Sequence, residues 1–235
     1  MPLNDAAIAA NLDNVRRTVA VAAERWSRDP AGMTVLAVSK TQPPEAIRAA
    51  AAAGQRDFGE NYLQEALTKI DAVADPALRW HFIGAIQSNK TRAIAERFDW
   101  VHTVDREKIA RRLNAQRPDE LPPLNVCLEV NVSNESQKAG AAPDEVEALA
   151  EAVAGMPRLK LRGLMALPAP ADEFEAQREP FKKLSALFAQ LRAKGHEIDT
   201  LSMGMSGDFE AAIAEGATVV RIGTAIFGAR ARRET

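Results

Sequence analysis

With 235 residues, 46% of them hydrophobic and 26% charged, the chain is long enough to bury a sizeable core and too apolar to be disordered. A formal net charge of −2 gives no electrostatic case for a nucleic-acid partner, and no apolar run approaches the length of a membrane span. The single cysteine, Cys127, permits no internal disulfide, and the first turns carry Asp5, Asp13, Arg16 and Arg17 in place of a leader's apolar centre, so a cytoplasmic protein is expected.

Residues 4–28 predict an amphipathic helix, with Ile8, Leu12, Val15 and Val19 at helical spacing and Asn11, Asp13 and Arg16 opposite. It precedes the first strand and is an addition to the repeat that follows. Residues 34–40, Thr-Val-Leu-Ala-Val-Ser-Lys, form a short β-branched run closed by Pro43 and Pro44, which reads as a buried strand. Alternation puts Leu36, Val38 and Lys40 on one face of it. Further strands are expected at 56–58, 79–83, 100–104, 124–132, 159–167, 198–203 and 217–222, the fifth being the longest. Helices fall between them: 44–53, from about 62 to 73, to 98, to 116 with Asp105 as N-cap, 143–154, 173–194, to 215, and a short one at the end. Residues 133–142 are a polar loop that suits a flap, and Arg230-Ala-Arg-Arg233 reads as a solvated terminus.

Strict alternation of strand and helix implies a parallel sheet, and about eight repeats in this length is the count of a (β/α)8 TIM barrel. An open doubly wound sheet is the competitor, but no strand here has an edge-like composition. No linker divides the chain, so residues 1–235 are expected to form one domain.

In such a barrel the chemistry lies at the C-terminal ends of the strands and in the loops after them. Those positions carry Lys40, Glu60 and Asn61, His81 with 87–90, Asn131, Met165, residues 202–206 including Met203 and Ser206, and Arg221, Gly223 and Thr224. A lysine at a buried strand end has a desolvated, nucleophilic amine that suits Schiff-base chemistry. The plain alternative is a strand-end lysine reaching solvent. Gly204-Met-Ser-Gly207 and Gly223-Thr224 each open a helix after the last two strands, where glycine backbone and helix N-termini favour a phosphate. A lysine nucleophile with a phosphate cradle suits pyridoxal 5′-phosphate or a phosphosugar aldolase. Arg221 favours the first, since a buried guanidinium needs an acceptor such as the pyridine nitrogen. An ion pair with Glu60 or Glu129 is the structural alternative. His81, His102 and His196 are scattered, without metal-ligand spacing.

Assembled, these residues resemble the YggS/PROSC family of pyridoxal phosphate homeostasis proteins over nearly the whole chain. The carriers are Ala37-Val-Ser-Lys40, Phe58-Gly-Glu-Asn-Tyr62, the run from His81 to Lys90, Gly163-Leu-Met165, Leu201-Ser-Met-Gly-Met-Ser-Gly-Asp-Phe209 and Arg221-Ile-Gly-Thr-Ala-Ile-Phe-Gly228. Ala85-Ile86 depart from an expected Pro-Leu, in a loop away from the cofactor residues. The resemblance implies a single barrel like the alanine racemase N-terminal domain, with pyridoxal 5′-phosphate held as a Schiff base on Lys40. It implies phosphate contacts from Ser206, Gly223 and Thr224, Arg221 at the pyridine nitrogen, Asn61 near the ring, and Met203 in the same cofactor-binding set. It also implies a role in intracellular pyridoxal phosphate (vitamin B6) and amino-acid homeostasis, buffering the cofactor or passing it to pyridoxal-dependent apo-enzymes, without firm catalytic activity. A racemase-like enzyme is the alternative, but racemization needs a second base; the chain has one tyrosine, Tyr62, which reads as packing, and no segment after 235 to supply another. Nothing demands a dimer, and a monomer is expected.

Overall fold

The apolar runs pair in the order in which they occur. The computed structural model describes residues 3–133 and 139–228. Eight strands follow one another round a closed parallel barrel: β1 Thr34–Val38, β2 Asp57–Glu60, β3 Arg79–Phe82, β4 Trp100–Val104, β5 Leu124–Glu129, β6 Leu159–Met165, β7 Thr200–Met205 and β8 Val219–Ile222, with β8 pairing back onto β1. The helices are α1 Asp5–Arg25, α2 Pro44–Ala52, α3 Leu63–Val73, α4 Thr91–Arg97, α5 Glu107–Gln116, α6 Val146–Ala154, α7 Phe174–Ala193, α8 Phe209–Ala214 and α9 Thr224–Phe227. This is the (β/α)8 barrel expected from the alternation, with α1 as the extra element.

The strands carry two unlike faces. Outward residues such as Ala37, Phe58, Val101, Val126, Leu128 and Val220 are buried against the helices in one large apolar core. Inward residues form only a small apolar cluster of Leu36, Ile83 and Val219, with Val38 against it. The rest of the interior is polar, including Asp57, His81, His102, Ser202 and Arg221, all buried. The strand pattern therefore decides where polar chemistry collects: inside the barrel, not at its helical shell.

Several boundaries differ from expectation, and three of the differences have a clear local reason. β5 stops at Glu129, not 132, and β6 is the longest strand, at seven residues. Past Glu129 the returning chain takes over: Ala141 donates to the Glu129 carbonyl at 2.8 Å and Asn131 donates to Ala141 at 3.0 Å. β7 lies at Thr200–Met205 because a bulge between Ser202 and Met205 extends it. Gly204 makes that bulge possible; its φ is +91°, and a Cβ there would sit 2.6 Å from the Ala212 methyl. Asp105 does not cap α5. The cap position is Arg106, and Asp105 instead accepts from the Arg106 guanidinium at 2.5 Å. The expected flap overlaps residues 134–138, and the basic terminus 230–233 lies wholly outside the described residues.

α1 starts where Asn4 accepts a hydrogen bond from Ala7 N at 2.9 Å. Its face of Ile8, Leu12, Val15, Val19, Ala22 and Ala23 is buried, and it packs across α2, α8 and α9. Asn11 also donates to the Ile226 carbonyl of α9 at 3.0 Å. The added helix thus holds the elements that flank β1 and β8. Leu12 is fully buried in this seam, and Leu12→Ala is expected to lower the unfolding free energy by about 2–5 kcal/mol, read from urea denaturation with an unchanged m-value.

Candidate functional site

A cavity of about 440 Å³ opens at the C-terminal end of the barrel. Its wall brings together Lys40 from the loop after β1, Asn61 after β2, Ser206 after β7, Arg221 of β8, and Gly223 and Thr224 at the start of α9. Six of the seven residues singled out from the sequence therefore share one hollow. The seventh, Met203, does not line it: it is fully buried in the apolar core on the helix side of β7. Its neighbours in sequence explain this. Ser202 points into the barrel, so Met203 must point out, and the bulge then lets Met205 reach the rim.

Lys40 follows Leu36 and Val38 on the inward face, and its main chain is held on both sides. Ser39 is fully buried; its hydroxyl donates to Glu60 Oε1 at 2.6 Å and its carbonyl accepts from Lys69 Nζ at 2.7 Å. Thr41, at φ +66°, donates its N–H to Glu65 Oε1 at 2.5 Å. Lys69 joins the two anchors, pairing with Glu60 at 2.9 Å and with Glu65. Burial raises the Glu60 carboxyl above its ordinary pKa, and the Lys69 ammonium opposes that rise. Lys69 was not singled out from the sequence; its spacing of one helical turn from Glu65 is that of an ordinary surface pair.

Arg221 is 4% exposed. Its Nη1 donates to the Ser202 carbonyl at 2.7 Å and to Ser202 Oγ at 2.9 Å, and its Nη2 donates to the Ala166 carbonyl at 2.9 Å. Among the described residues these are neutral oxygens, so the expected alternative of an ion pair with Glu60 or Glu129 is not what holds it; Glu60 is taken by Lys69. Burial lowers its pKa to about 10, with Asp208 and Glu129 acting in opposition, so it stays charged at neutral pH. Among the described residues three of the five N–H groups of the guanidinium are engaged.

The loop after β7 is ordered by Asp208, which accepts from the Met205 N–H at 2.6 Å and leaves Ser206 and Gly207 exposed at the mouth. At Gly223 a Cβ would lie 3.1 Å from the Val38 carbonyl, so the start of α9 approaches β1 closely. Gly84 does the same for the other side of the cavity: a Cβ there would fall 2.0 Å from the Asn61 carbonyl oxygen. Asn61 Oδ1 is buried without a hydrogen-bond partner among the described residues. An orphaned acceptor on a cavity wall is a group waiting for a ligand donor.

Several rim residues expected from the sequence, among them His81 and residues 87–90, do not line the cavity. His81 is in the barrel interior below the cavity, bonded to His102 at 2.9 Å and to Asp57 at 3.0 Å. The two histidines that looked scattered are thus in contact. Residues 87–90 turn into α4 and contribute nothing to the wall. Tyr62 is 57% exposed and does not pack as expected. The Cys127 thiol is buried, and desolvation pushes its pKa up to about 12, which makes it inert.

Glu129 is buried at the end of β5, and burial first, then Asp105, push its pKa to about 7 from 4.5. In the folded chain it keeps its proton over a range where the unfolded chain has lost it. Its contribution to stability is therefore full below pH 4.5 and lost as pH rises to 7. Relative to wild type, Glu129→Gln should gain stability over that interval, approaching about 3 kcal/mol, as measured by urea unfolding at a series of pH values.

Comparison with known proteins bears on this site. The model of the alanine racemase, N-terminal domain family matches residues 6–231. A pyridoxal phosphate homeostasis protein of Pseudomonas aeruginosa is 61% identical over 223 residues, 95% of this chain and 96% of the relative. One from Escherichia coli is 55% identical over 231 residues, 97% of this chain and 98% of the relative. PipY of Synechococcus elongatus, solved with PLP bound, is 36% identical with a TM-score of 0.82, over 94% of this chain and all of that one. Alanine racemase of Corynebacterium glutamicum shares the fold at 19% identity and a TM-score of 0.71; this chain spans 60% of that protein's length.

Proposed function

Since this chain belongs to the family of pyridoxal phosphate homeostasis proteins, built on the alanine racemase N-terminal domain, we propose that it binds pyridoxal 5′-phosphate covalently on Lys40 and releases it to pyridoxal-dependent apo-enzymes. The observation that carries this reading is the shared cavity: a held lysine, a buried guanidinium and two glycine-opened loops face one hollow. Its volume of about 440 Å³ falls within the usual range for a small-molecule site, roughly 300–1,000 Å³. The orphaned Asn61 Oδ1 and the close approach at Gly223 fit a ligand with a donor at one end and an anion at the other.

When bound, the cofactor supplies an aldehyde that a primary amine attaches to reversibly, and an electron-withdrawing ring. Lys40 supplies the amine, and the anchors on Ser39 and Thr41 aim it into the hollow. Arg221 faces the ring nitrogen. Being charged at neutral pH and having only N–H donors, it keeps that nitrogen an acceptor, so the ring withdraws electrons weakly. Ser206, Gly223 and Thr224 bind the phosphate through hydroxyl and main-chain N–H groups. Asn61 lies beside the ring.

Storage and delivery are favoured over catalysis by what the wall lacks. Among the described residues it holds one amine and no phenol, imidazole, thiol or carboxylate. Racemization needs a proton donor and a proton acceptor on opposite faces of one carbon, and exposed Tyr62 is no candidate. We further propose that the chain acts as a one-domain cytoplasmic monomer. Among the described residues no helix is long and apolar enough to cross a membrane.

Incubation with pyridoxal phosphate followed by borohydride reduction should add one cofactor mass on the peptide containing Lys40. Lys40→Ala should lose that label and the visible absorption while unfolding at the same temperature within a few degrees. Absence of label on wild type, or label undiminished in the variant, would overturn the assignment. Amino acids incubated with the loaded protein in deuterated water should keep their α-proton; Lys40-dependent exchange would favour the racemase-like alternative.

A further inference from the structure

A single line of hydrogen bonds runs through the barrel interior from the cavity to the opposite mouth. Arg221 Nη1 meets Ser202 Oγ at 2.9 Å. Ser202 Oγ meets His102 Nδ1 at 2.8 Å, His102 Nε2 meets His81 Nδ1 at 2.9 Å, and His81 Nε2 meets Asp57 Oδ1 at 3.0 Å. Asp57 also accepts from Arg79 Nε and Nη2, both at 2.6 Å, and Arg79 is half-exposed. The members come from β8, β7, β4, β3 and β2, so the line crosses the interior instead of following one sheet edge. Ser202, His102 and His81 are at most 2% exposed, so the line lies out of bulk solvent.

Chemistry at the two ends, with burial keeping both imidazoles neutral, sets the direction of every link. Arg221 can only donate, and the Asp57 carboxylate, held by two N–H groups of Arg79, can only accept. His81 must therefore carry its hydrogen on Nε2, because a bare nitrogen facing a carboxylate oxygen would set two acceptors against each other. Its Nδ1 is then an acceptor, which requires the hydrogen of His102 on Nε2. His102 Nδ1 is in turn an acceptor, and it takes the Ser202 hydroxyl hydrogen. Ser202 Oγ is left with only lone pairs toward Arg221. With both imidazoles kept neutral by burial, one arrangement of hydrogens satisfies all the links.

We infer that this one-way relay positions Arg221: His102 and His81 act through Ser202 to lock a hydroxyl oxygen, lone pairs outward, against the guanidinium that faces the proposed ring-binding cavity. His102, His81 and Ser202 do not line the cavity and reach it through Arg221, so they are positioning residues. The main-chain carbonyls of Ser202 and Ala166 hold Arg221 as well; the relay adds the one side-chain acceptor. The direction of the links stands on the hydrogen bonds and on the burial of both rings, whereas the consequence for a bound cofactor rests on the proposed function.

Two measurements separate these layers. In ligand-free protein at neutral pH, nitrogen-15 NMR of the imidazoles should show both buried rings neutral and protonated on Nε2. A ring protonated on Nδ1, or charged, would overturn the relay whatever the protein binds. Titration with pyridoxal phosphate, followed by visible absorption, should show His102→Leu binding about tenfold more weakly, the loss expected when a buried hydroxyl loses its acceptor. His102→Asn, whose Oδ1 can accept from Ser202 in place of Nδ1, should recover most of that loss even where its melting temperature is as low as that of the leucine variant. Equal affinity in wild type and His102→Leu would overturn the positioning role. Where His102→Leu fails to fold, Ser202→Ala replaces it and should weaken binding likewise. Wild type that does not bind the cofactor at all, with both rings protonated on Nε2, would sink the proposed function and leave the relay standing.

Discussion

A guanidinium inside a closed barrel is the constraint on which the rest of this molecule depends. Arg221 is out of water, and burying its charge without partners would cost several kcal/mol. The chain meets that demand with oxygens from three places: the carbonyl of Ser202, its hydroxyl, and the carbonyl after β6. Each requires something further. The Ser202 hydroxyl must face inward, so Met203 faces out and Gly204 takes the left-handed conformation that restores the strand. That bulge places Met205 and Ser206 at the rim. The polar interior, the shape of β7 and the mouth of the cavity are one solution to one buried charge.

A second buried charge organises the neighbouring wall, around β1 and β2. Lys69 lies between α3 and the barrel, 3% exposed, and it satisfies Glu60, Glu65 and the Ser39 carbonyl together. Removing one member of such a pair typically costs about 3–5 kcal/mol, because the other is left buried and unpaired. That cost transfers to the main chain around Lys40, since Ser39 and Thr41 are bonded to the same carboxylates. The amine is thus mounted on a rigid loop although it lies past the end of β1. A lysine has four rotatable bonds, and ordering the backbone beneath it removes part of the entropy that a reaction at its tip would otherwise oppose.

The two systems divide the barrel. The apolar contacts that hold the fold lie between strands and helices, whereas the polar contacts that hold the site lie inside. Substitutions in the shell and in the lumen should therefore have separable effects on stability and on ligand binding. α1 couples them, because its buried face lies across α2, α8 and α9, and Asn11 is bonded to α9 just below Gly223 and Thr224.

Much of this was legible in the linear chain. The alternation of apolar runs with helical patches counted out eight units, and the parity of residues 34–40 put Lys40 inward, because side-chain direction in a strand depends only on residue number. Gly204, Gly223 and Arg221 were marked by position at the last two strand ends. Local spacing could not supply partners distant in sequence. His81 and His102 are 21 residues apart on neighbouring strands, and Ser202 is 100 residues beyond His102, so only closure of the barrel makes them a line. Lys69 stands four residues from Glu65, the spacing of an ordinary helical surface pair, and only tertiary packing buries it. Met203 was counted with the site because it lies in the 201–209 run that carries the resemblance, although its alternation with Ser202 turns it outward. The identity of each inward group was written in the chain, but which groups meet was decided by the register in which the strands close.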